Sequence, residues 1–210
     1  MSKIVKALKW RYASKKFDTT KKVSNKKINK LAKAFNLTAT SYGLQPNKLI
    51  IISNQKYKDQ LVEPCYFQQQ VSTCSHLLVI CNDTNFSAKS IDTHFDLVKK
   101  VRNTPTEILG KFRTQLKDSF ANKTEEEIKQ FSNNQAYILL GNLMTACALE
   151  KIDACPMEGF NPEKVDKVLA LKDKNLTATL LLPIGYRDQE DFMAKLKKVR
   201  KPLKEVIIKL

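Results

Sequence analysis

Along most of the chain the apolar residues are spaced to give each segment one buried face. Residues 134–149, Asn-Gln-Ala-Tyr-Ile-Leu-Leu-Gly-Asn-Leu-Met-Thr-Ala-Cys-Ala-Leu, are apolar almost without interruption. Upstream, Thr124 and Glu127 have the spacing of a capping box, which predicts one helix from residue 124 to about 149. A helix that is apolar on nearly every side has no face for water, so protein or lipid must enclose it. A lipid span needs about 20 apolar residues, and Glu150 and Lys151 close this run. Enclosure in a core or a subunit interface is therefore expected. The interface is favoured because the surrounding elements are few and short.

The other elements follow from the same periodicities. Ile4, Leu8 and Tyr12 predict a first helix that ends in the basic patch at residues 10–16. Ser24 caps a second, in which Ile28, Leu31, Ala32 and Phe35 follow the i, i+3, i+4, i+7 pattern. A polar turn at 38–46 leads into a β-branched strand at 49–52, and residues 56–62 read as helix before a glutamine-rich segment at 66–71. Residues 77–81 form a second buried strand, stopped by Asn82 and Asp83. Ile91, Phe95 and Val98, then Ile108, Phe112 and Leu116, give two helical stripes with Pro105 between them, read as surface helices or a lid. Residues 152–160 read as a non-helical connector, and Asn161 with Pro162 launches a helix towards Leu171. A third strand at 178–184, a helix at 189–196 and a terminal strand at 206–208 complete the pattern. Interspersed helices and few strands predict α+β or α/β, with a small central sheet layered by helices.

Composition refines this picture. A hydrophobic content of 42% over 210 residues supports a real core, and no linker, repeat or low-complexity tract divides the chain, so residues 1–210 are read as one domain. The start, Met-Ser-Lys-Ile, lacks the apolar stretch of a secretion signal, so a cytoplasmic location is expected. The five cysteines never form a Cys-x-x-Cys pair and sit mostly among apolar residues, which predicts buried reduced thiols. With only His76 and His94 beside them, no metal site is expected. A net charge of +16 raises the question of a nucleic-acid or other polyanion partner. The lysines are scattered as on a solvated surface, with no arginine-rich arm, so nucleic acid is not expected as the partner.

No dinucleotide-binding glycine fingerprint, no phosphate-cradling P-loop and no Gly-x-Ser-x-Gly elbow is present among the five glycines. Any bound phosphate must be met by side-chain cations. Arg11 and Lys15 near one end and Lys198 and Arg200 near the other are candidates, set against the plainer reading of surface cations.

Five stretches, in order, carry a resemblance: residues 8–18 (Leu-Lys-Trp-Arg-Tyr-Ala-Ser-Lys-Lys-Phe-Asp), 38–46 (Thr-Ala-Thr-Ser-Tyr-Gly-Leu-Gln-Pro), Ser75-His76 before a strand, 156–160 (Pro-Met-Glu-Gly-Phe) and 198–202 (Lys-Val-Arg-Lys-Pro). Together they resemble the FMN-dependent nitroreductases, and most of all the oxygen-insensitive NAD(P)H nitroreductase and dihydropteridine reductase group. The resemblance implies an α+β fold of three layers (α/β/α) with a mainly antiparallel central sheet and a long buried dimer helix. It implies that Arg11 and Lys15 approach the FMN phosphate and the pyrimidine edge of the flavin, with Tyr12 and Ala13 in the same loop. Gln68 and Gln70 match polar positions that reach the flavin or its ribityl chain, and Lys198 and Arg200 match phosphate ligands. Ala39, Thr40, Ser41 and Gly43 match the stretch that a partner subunit offers, although relatives carry asparagine where this chain has Gly43. Pro156, Met157, Glu158 and Gly159 match a loop laid on one flavin face, with a backbone N–H near Glu158 directed to N5.

The chemistry so implied is ping-pong hydride transfer from NADH or NADPH through flavin N5 to a small-molecule acceptor: a nitroaromatic, a quinone or a pterin. No catalytic side chain is required, and His76 and His94 are read as structural. A homodimer without a membrane partner is expected, its C-terminal strand reaching the other subunit's sheet. Two alternatives stand beside this reading: an FMN protein of the same fold with another flavin reaction, such as reductive dehalogenation, and a basic polyanion-binding protein.

Overall fold

The computed structural model describes residues 1–210. Its sheet has four strands, β1 (Asn47–Ile52), β2 (His76–Asp83), β3 (Asp153–Ala154) and β4 (Leu176–Gly185). They lie in the order β1-β2-β4-β3, and every pairing is antiparallel. Successive side chains of a strand point to opposite faces. Leu77, Val79 and Cys81 of β2 therefore enter one core and Leu78 and Ile80 the other. A register shift between Ile80 and Cys81 skips Thr179 on β4. This bulge reverses the parity of β4, so that Leu176 and Ala178 share a core with Leu181 while Leu180, Leu182 and Ile184 face the opposite side.

Helices cover both faces, giving three layers. Helix α7 (Glu125–Leu149) lays Ala136, Leu139, Leu140, Leu143 and Cys147 on one face, beside Ile28 and Leu31 of α2 (Asn25–Asn36). On the other, Leu61 after α3 (Gln55–Gln60), Val71 of α4 (Gln70–Thr73) and Val165 of α8 (Pro162–Leu169) close the second core. A third cluster, Phe86, Ile91, Phe95, Leu116 and Phe120, holds together the hairpin of α5 (Ala88–Arg102) and α6 (Thr106–Ala121).

The capping box of α7 forms as expected: Glu127 N donates to Thr124 Oγ1 at 3.2 Å, and Thr124 N donates to Glu127 Oε2 at 2.8 Å. Enclosure of the helix is one-sided, because the sheet meets only one flank of it. Tyr137, Ile138 and Leu149 remain about half exposed. Helix α1 (Lys3–Trp10) packs on α7 and likewise leaves Ile4, Val5 and Leu8 exposed. It ends at Trp10, so Tyr12 lies beyond it.

The connector at 152–160 is non-helical as expected and contains the short strand β3. Two further expectations change. Residues 189–196 form a 3-10 turn at Phe192–Lys195 rather than a longer helix. The terminal strand at 206–208 is absent: α9 (Leu203–Val206) is a single turn, followed by an exposed tail with no strand beside it in its own chain. A strand exists only against a neighbour, and the Val-Ile-Ile run finds none here. All five cysteines are free and buried, and burial pushes Cys65, Cys74, Cys81 and Cys147 up to about 12. No helix is long and apolar enough to cross a membrane.

Candidate functional site

The loop after α1 runs along the edge of the sheet. Ala13 bridges Ala154 of β3, and Ser14 N donates to Ala154 O at 3.4 Å. Asp18 N then donates to Tyr186 O at 2.8 Å, which fixes the far end of the loop beside β4. This course places Lys15 Nζ 3.7 Å from Cys155 Sγ. Burial pushes the Cys155 thiol up, and the nearby Lys15 and Arg11 cations oppose that shift.

Two buried carboxylates hold the loop. Asp153 accepts from Arg187 N at 2.9 Å and from Arg187 Nε at 2.8 Å, with Nη2 2.5 Å away. The guanidinium lies 4.5 Å from the ring centres of both Trp10 and Tyr12, and Lys151 Nζ sits 4.7 Å from the Trp10 ring. Asp191, only 1% exposed, accepts through Oδ2 from Tyr12 Oη (3.0 Å), Ser14 Oγ (2.8 Å), Lys15 N (2.9 Å) and Lys16 N (3.4 Å). Burial opposes the Asp191 charge, but these hydrogen bonds outweigh it and hold the carboxyl below its usual range.

The C-terminal segment returns to this loop. Lys198 Nζ donates to Arg11 O, a contact spanning 187 residues of sequence. Burial lowers the Arg11 pKa and the neighbouring Arg200 lowers it further, while Lys198 is lowered by burial and by both arginines. None of Arg11, Lys15, Lys198 and Arg200 makes a salt bridge, although ten form elsewhere in the chain. None of the four candidate cations thus has its side-chain charge paired with a carboxylate.

Beside them runs the 156–159 loop. Met157 exchanges two backbone hydrogen bonds with Leu181, at 2.9 and 3.0 Å, which anchor the loop to the sheet. Gln68 Nε2 donates to Gly159 O at 2.8 Å, and Gln70 Nε2 donates to Gln68 Oε1 at 2.9 Å and lies 3.7 Å from Met157 Sδ. Tyr66 and Phe67, just before Gln68, are exposed and adopt left-handed backbone conformations, at φ 54° and 59°. Glu158 is exposed, and the backbone N–H groups of Glu158 and Gly159 donate to nothing within the chain. Unsatisfied donors at an exposed turn are available to a ligand.

One predicted group lies apart. Ala39, Thr40, Ser41 and Gly43 belong to a turn that is held to α7 by Ser41 N donating to Gln135 Oε1 at 2.8 Å. Gly43 has φ +72°, and a Cβ there would come within 3.1 Å of His94 Cε1, so glycine suits both the backbone and the space. No hydrogen bond joins this turn to the cations or to the 156–159 loop. Within one chain Lys198 reaches Arg11, and Lys15 reaches Cys155 beside the 156–159 loop that Gln68 and Gln70 contact, whereas Ala39, Thr40, Ser41 and Gly43 make no hydrogen bond to any of these residues. A cavity of about 720 Å³ between the end of β2 and the start of α7 contains none of these residues. His76 Nδ1 is 2.9 Å from Ser75 Oγ, which accepts from Val23 N at 2.7 Å, and His94 packs edge-on against Phe95. Both histidines sit in packing roles.

The model of the nitroreductase family matches residues 8–186, which spans the loop, the sheet and the 156–159 turn. The chain belongs to the nitroreductase family. With that family it is an oxidoreductase. This nitroreductase is 31% identical over 212 residues to a Staphylococcus haemolyticus protein whose name places it among the NAD(P)H nitroreductases; the match covers 97% of this chain and 95% of that one. Its fold matches a solved Bacillus subtilis nitroreductase with a TM-score of 0.87, at 18% identity and 98% coverage of both chains. A nitroreductase from Exiguobacterium sibiricum, solved in complex with FMN, matches with a TM-score of 0.85 at 19% identity, over 100% of this chain and 98% of that one. Identities this low bear on the fold alone. Within this nitroreductase, Asp153, Arg187 and Asp191 are the site-forming residues that the sequence did not disclose. Their partners lie far away in the chain, so no local spacing marks them.

Proposed function

We propose that this nitroreductase is an FMN-dependent NAD(P)H oxidoreductase that acts as a homodimer on nitroaromatic, quinone or pterin-type acceptors. The observation that carries the reading is the cluster of Arg11, Lys198 and Arg200, which repel one another, with Lys15 on the same loop as Arg11 and no salt bridge to any of the four. An anion relieves that repulsion, and a phosphate monoester matches its arginine forks and lysine point charges. The donors and acceptors beside it also fit FMN: two glutamine side chains and the free N–H groups of Glu158 and Gly159 on an exposed shelf.

In this reading Arg11, Lys198 and Arg200 hold the phosphate, and Lys15 places a positive charge at the pyrimidine edge, where it favours the reduced state. Gln68 and Gln70 hold the flavin or its ribityl chain. The Glu158 N–H orients the N5 side, and Ala13 lines the loop closely because it has so little side chain. FMN, when bound, supplies the two-electron chemistry, taking a hydride from NADH or NADPH and giving it to the acceptor in a second half-reaction. A single shelf that serves both substrates in turn gives ping-pong kinetics. The exposed rings of Tyr66 and Phe67 offer planar acceptors an apolar face.

The homodimer reading rests on the exposed apolar side chains of α1 and α7 and on the lack of any hydrogen bond between the 39–43 turn and the cations in one chain. A second copy supplies the missing wall with its own Ala39, Thr40, Ser41 and Gly43. Two measurements test the proposal. The purified protein should show flavin absorbance that bleaches with NADH or NADPH under anaerobic conditions, and a colourless protein that takes up no FMN refutes the cofactor. Sedimentation should give a dimer, and a folded monomer with bound flavin refutes the shared site.

A further inference from the structure

We propose that Asp191 is the positioning residue that assembles the cationic corner, by clamping the loop that carries Arg11 and Lys15 to the segment that carries Lys198 and Arg200. The inference rests on the flavin reading above and adds to it the residue that sets the affinity for the phosphate. Loop residues 11–16 belong to no helix or sheet ladder of their own. The N–H groups of Lys15 and Lys16 have no acceptor other than Asp191 Oδ2. That oxygen also takes the hydroxyls of Tyr12 and Ser14, 179 and 177 residues away in sequence. The second oxygen, Oδ1, accepts from Met193 N at 3.1 Å and opens the 3-10 turn at Phe192–Lys195. Beyond that turn the chain returns to Arg11 through Lys198. One buried carboxylate thus ends both cation-bearing segments and fixes where each starts.

Both carboxylate oxygens are needed as acceptors. An asparagine at this position has one oxygen and one NH2 group, so whichever way it turns, N–H faces N–H, either at Met193 or at the backbone donors of Lys15 and Lys16. Asp191→Asn therefore keeps the size of the side chain and loosens one of the two segments. A group that only supports the fold would weaken every flavin ligand alike. A group that positions the phosphate-facing cations weakens FMN more than riboflavin, which lacks the phosphate.

The test compares FMN and riboflavin binding by fluorescence titration of the flavin-stripped full chain. In Asp191→Asn the FMN dissociation constant should rise about tenfold or more, equivalent to about 1.4 kcal/mol, with riboflavin binding changed much less. The preference for FMN over riboflavin should thus fall, as it should in Arg200→Ala. Ser14→Ala removes a single donor to Oδ2, folds with a minimal change of volume and should lower the same preference by a smaller factor. A wild-type chain that binds FMN beside Asp191→Asn and Ser14→Ala variants of unchanged preference overturns the inference alone. A wild-type chain that binds no flavin removes the flavin reading, and this inference with it.

Discussion

Replacing Arg187 with methionine keeps much of the aliphatic stem and deletes the charge that Asp153 was folded to meet. Asp153 is 4% exposed and takes Arg187 N, Nε and the nearby Nη2, so Arg187→Met leaves a buried carboxylate with one backbone N–H. Breaking one side of a buried ion pair costs about 3–5 kcal/mol. The Arg187 side chain is 28% exposed, so water reaches that side of the pair and the lower end, about 3 kcal/mol, applies. Loss of the cation from the Trp10 and Tyr12 rings adds to this, at about 0.5–1 kcal/mol per exposed contact. For a chain of this length 1 kcal/mol moves the midpoint by about 2–4 °C, so the total of about 4–5 kcal/mol gives an expected fall of about 8–20 °C in thermal unfolding followed by circular dichroism. The double variant Asp153→Asn with Arg187→Met should lose less than the sum of the single variants, because removing both ends leaves no orphaned charge. A loss below about 1 kcal/mol in Arg187→Met, or single variants additive within about 0.5 kcal/mol, refutes the reasoning.

Three other outcomes follow from the same contacts. Arg11→Ala combined with Arg200→Ala should empty the proposed phosphate site, so the purified variant loses its flavin absorbance; a variant that holds its pigment as tightly as the parent contradicts the assignment. Gly185→Ala places a Cβ 2.8 Å from Phe17 Cδ1 and 3.2 Å from Ser75 N, and should destabilise by about 1–3 kcal/mol in urea unfolding. Because the Asp191 carboxyl is held below its usual range, its contribution to stability is complete above the unfolded value of about 3.9 and disappears as pH falls through the lower folded value. Acid titration of wild type should show that loss, and Asp191→Asn should lack this part of it.

How much of this was legible in the sequence depended on how far apart the partners lie. The capping box of α7 and the core face of α2 are local, and Thr124, Glu127, Ile28 and Leu31 stand where their spacing put them. The runs in β2 and β4 announced buried strands because both faces of those strands are covered. Arg11 and Lys198 meet across 187 residues, and only the resemblance to a family brought them together beforehand. Asp191 and Asp153 had no such help. Their roles consist of hydrogen bonds to remote backbone and hydroxyl groups, and an aspartate in a polar stretch looks like any solvated aspartate. Residues 189–196 were misread as helix because Phe192 and Leu196 have helical spacing. Yet Asp188 accepts from Glu190 N at 2.8 Å and Asp191 from Met193 N at 3.1 Å, and these local side-chain bonds compete with the helix.

Three expectations concern a partner subunit. Helix α7 was expected in a core or, with more weight, a subunit interface, the strand at 206–208 was expected to reach the other subunit's sheet, and the 39–43 turn was expected to be offered to the flavin by the partner subunit. In one chain α7 shows Tyr137, Ile138 and Leu149 to solvent, the tail exposes Val206, Ile207 and Ile208, and no hydrogen bond joins the 39–43 turn to the cations. Under the proposed homodimer, each of these features would face a second copy. The edge strand β1 is paired only with β2, and its Leu49 and Ile50 are half-buried while Ile51 is exposed. An open edge with apolar side chains is a site where another strand adds. The proposed second copy carries such a strand-forming tail, so removing residues 203–210 should weaken the dimer and release flavin together. A truncated chain that sediments as a dimer with full flavin content refutes this coupling.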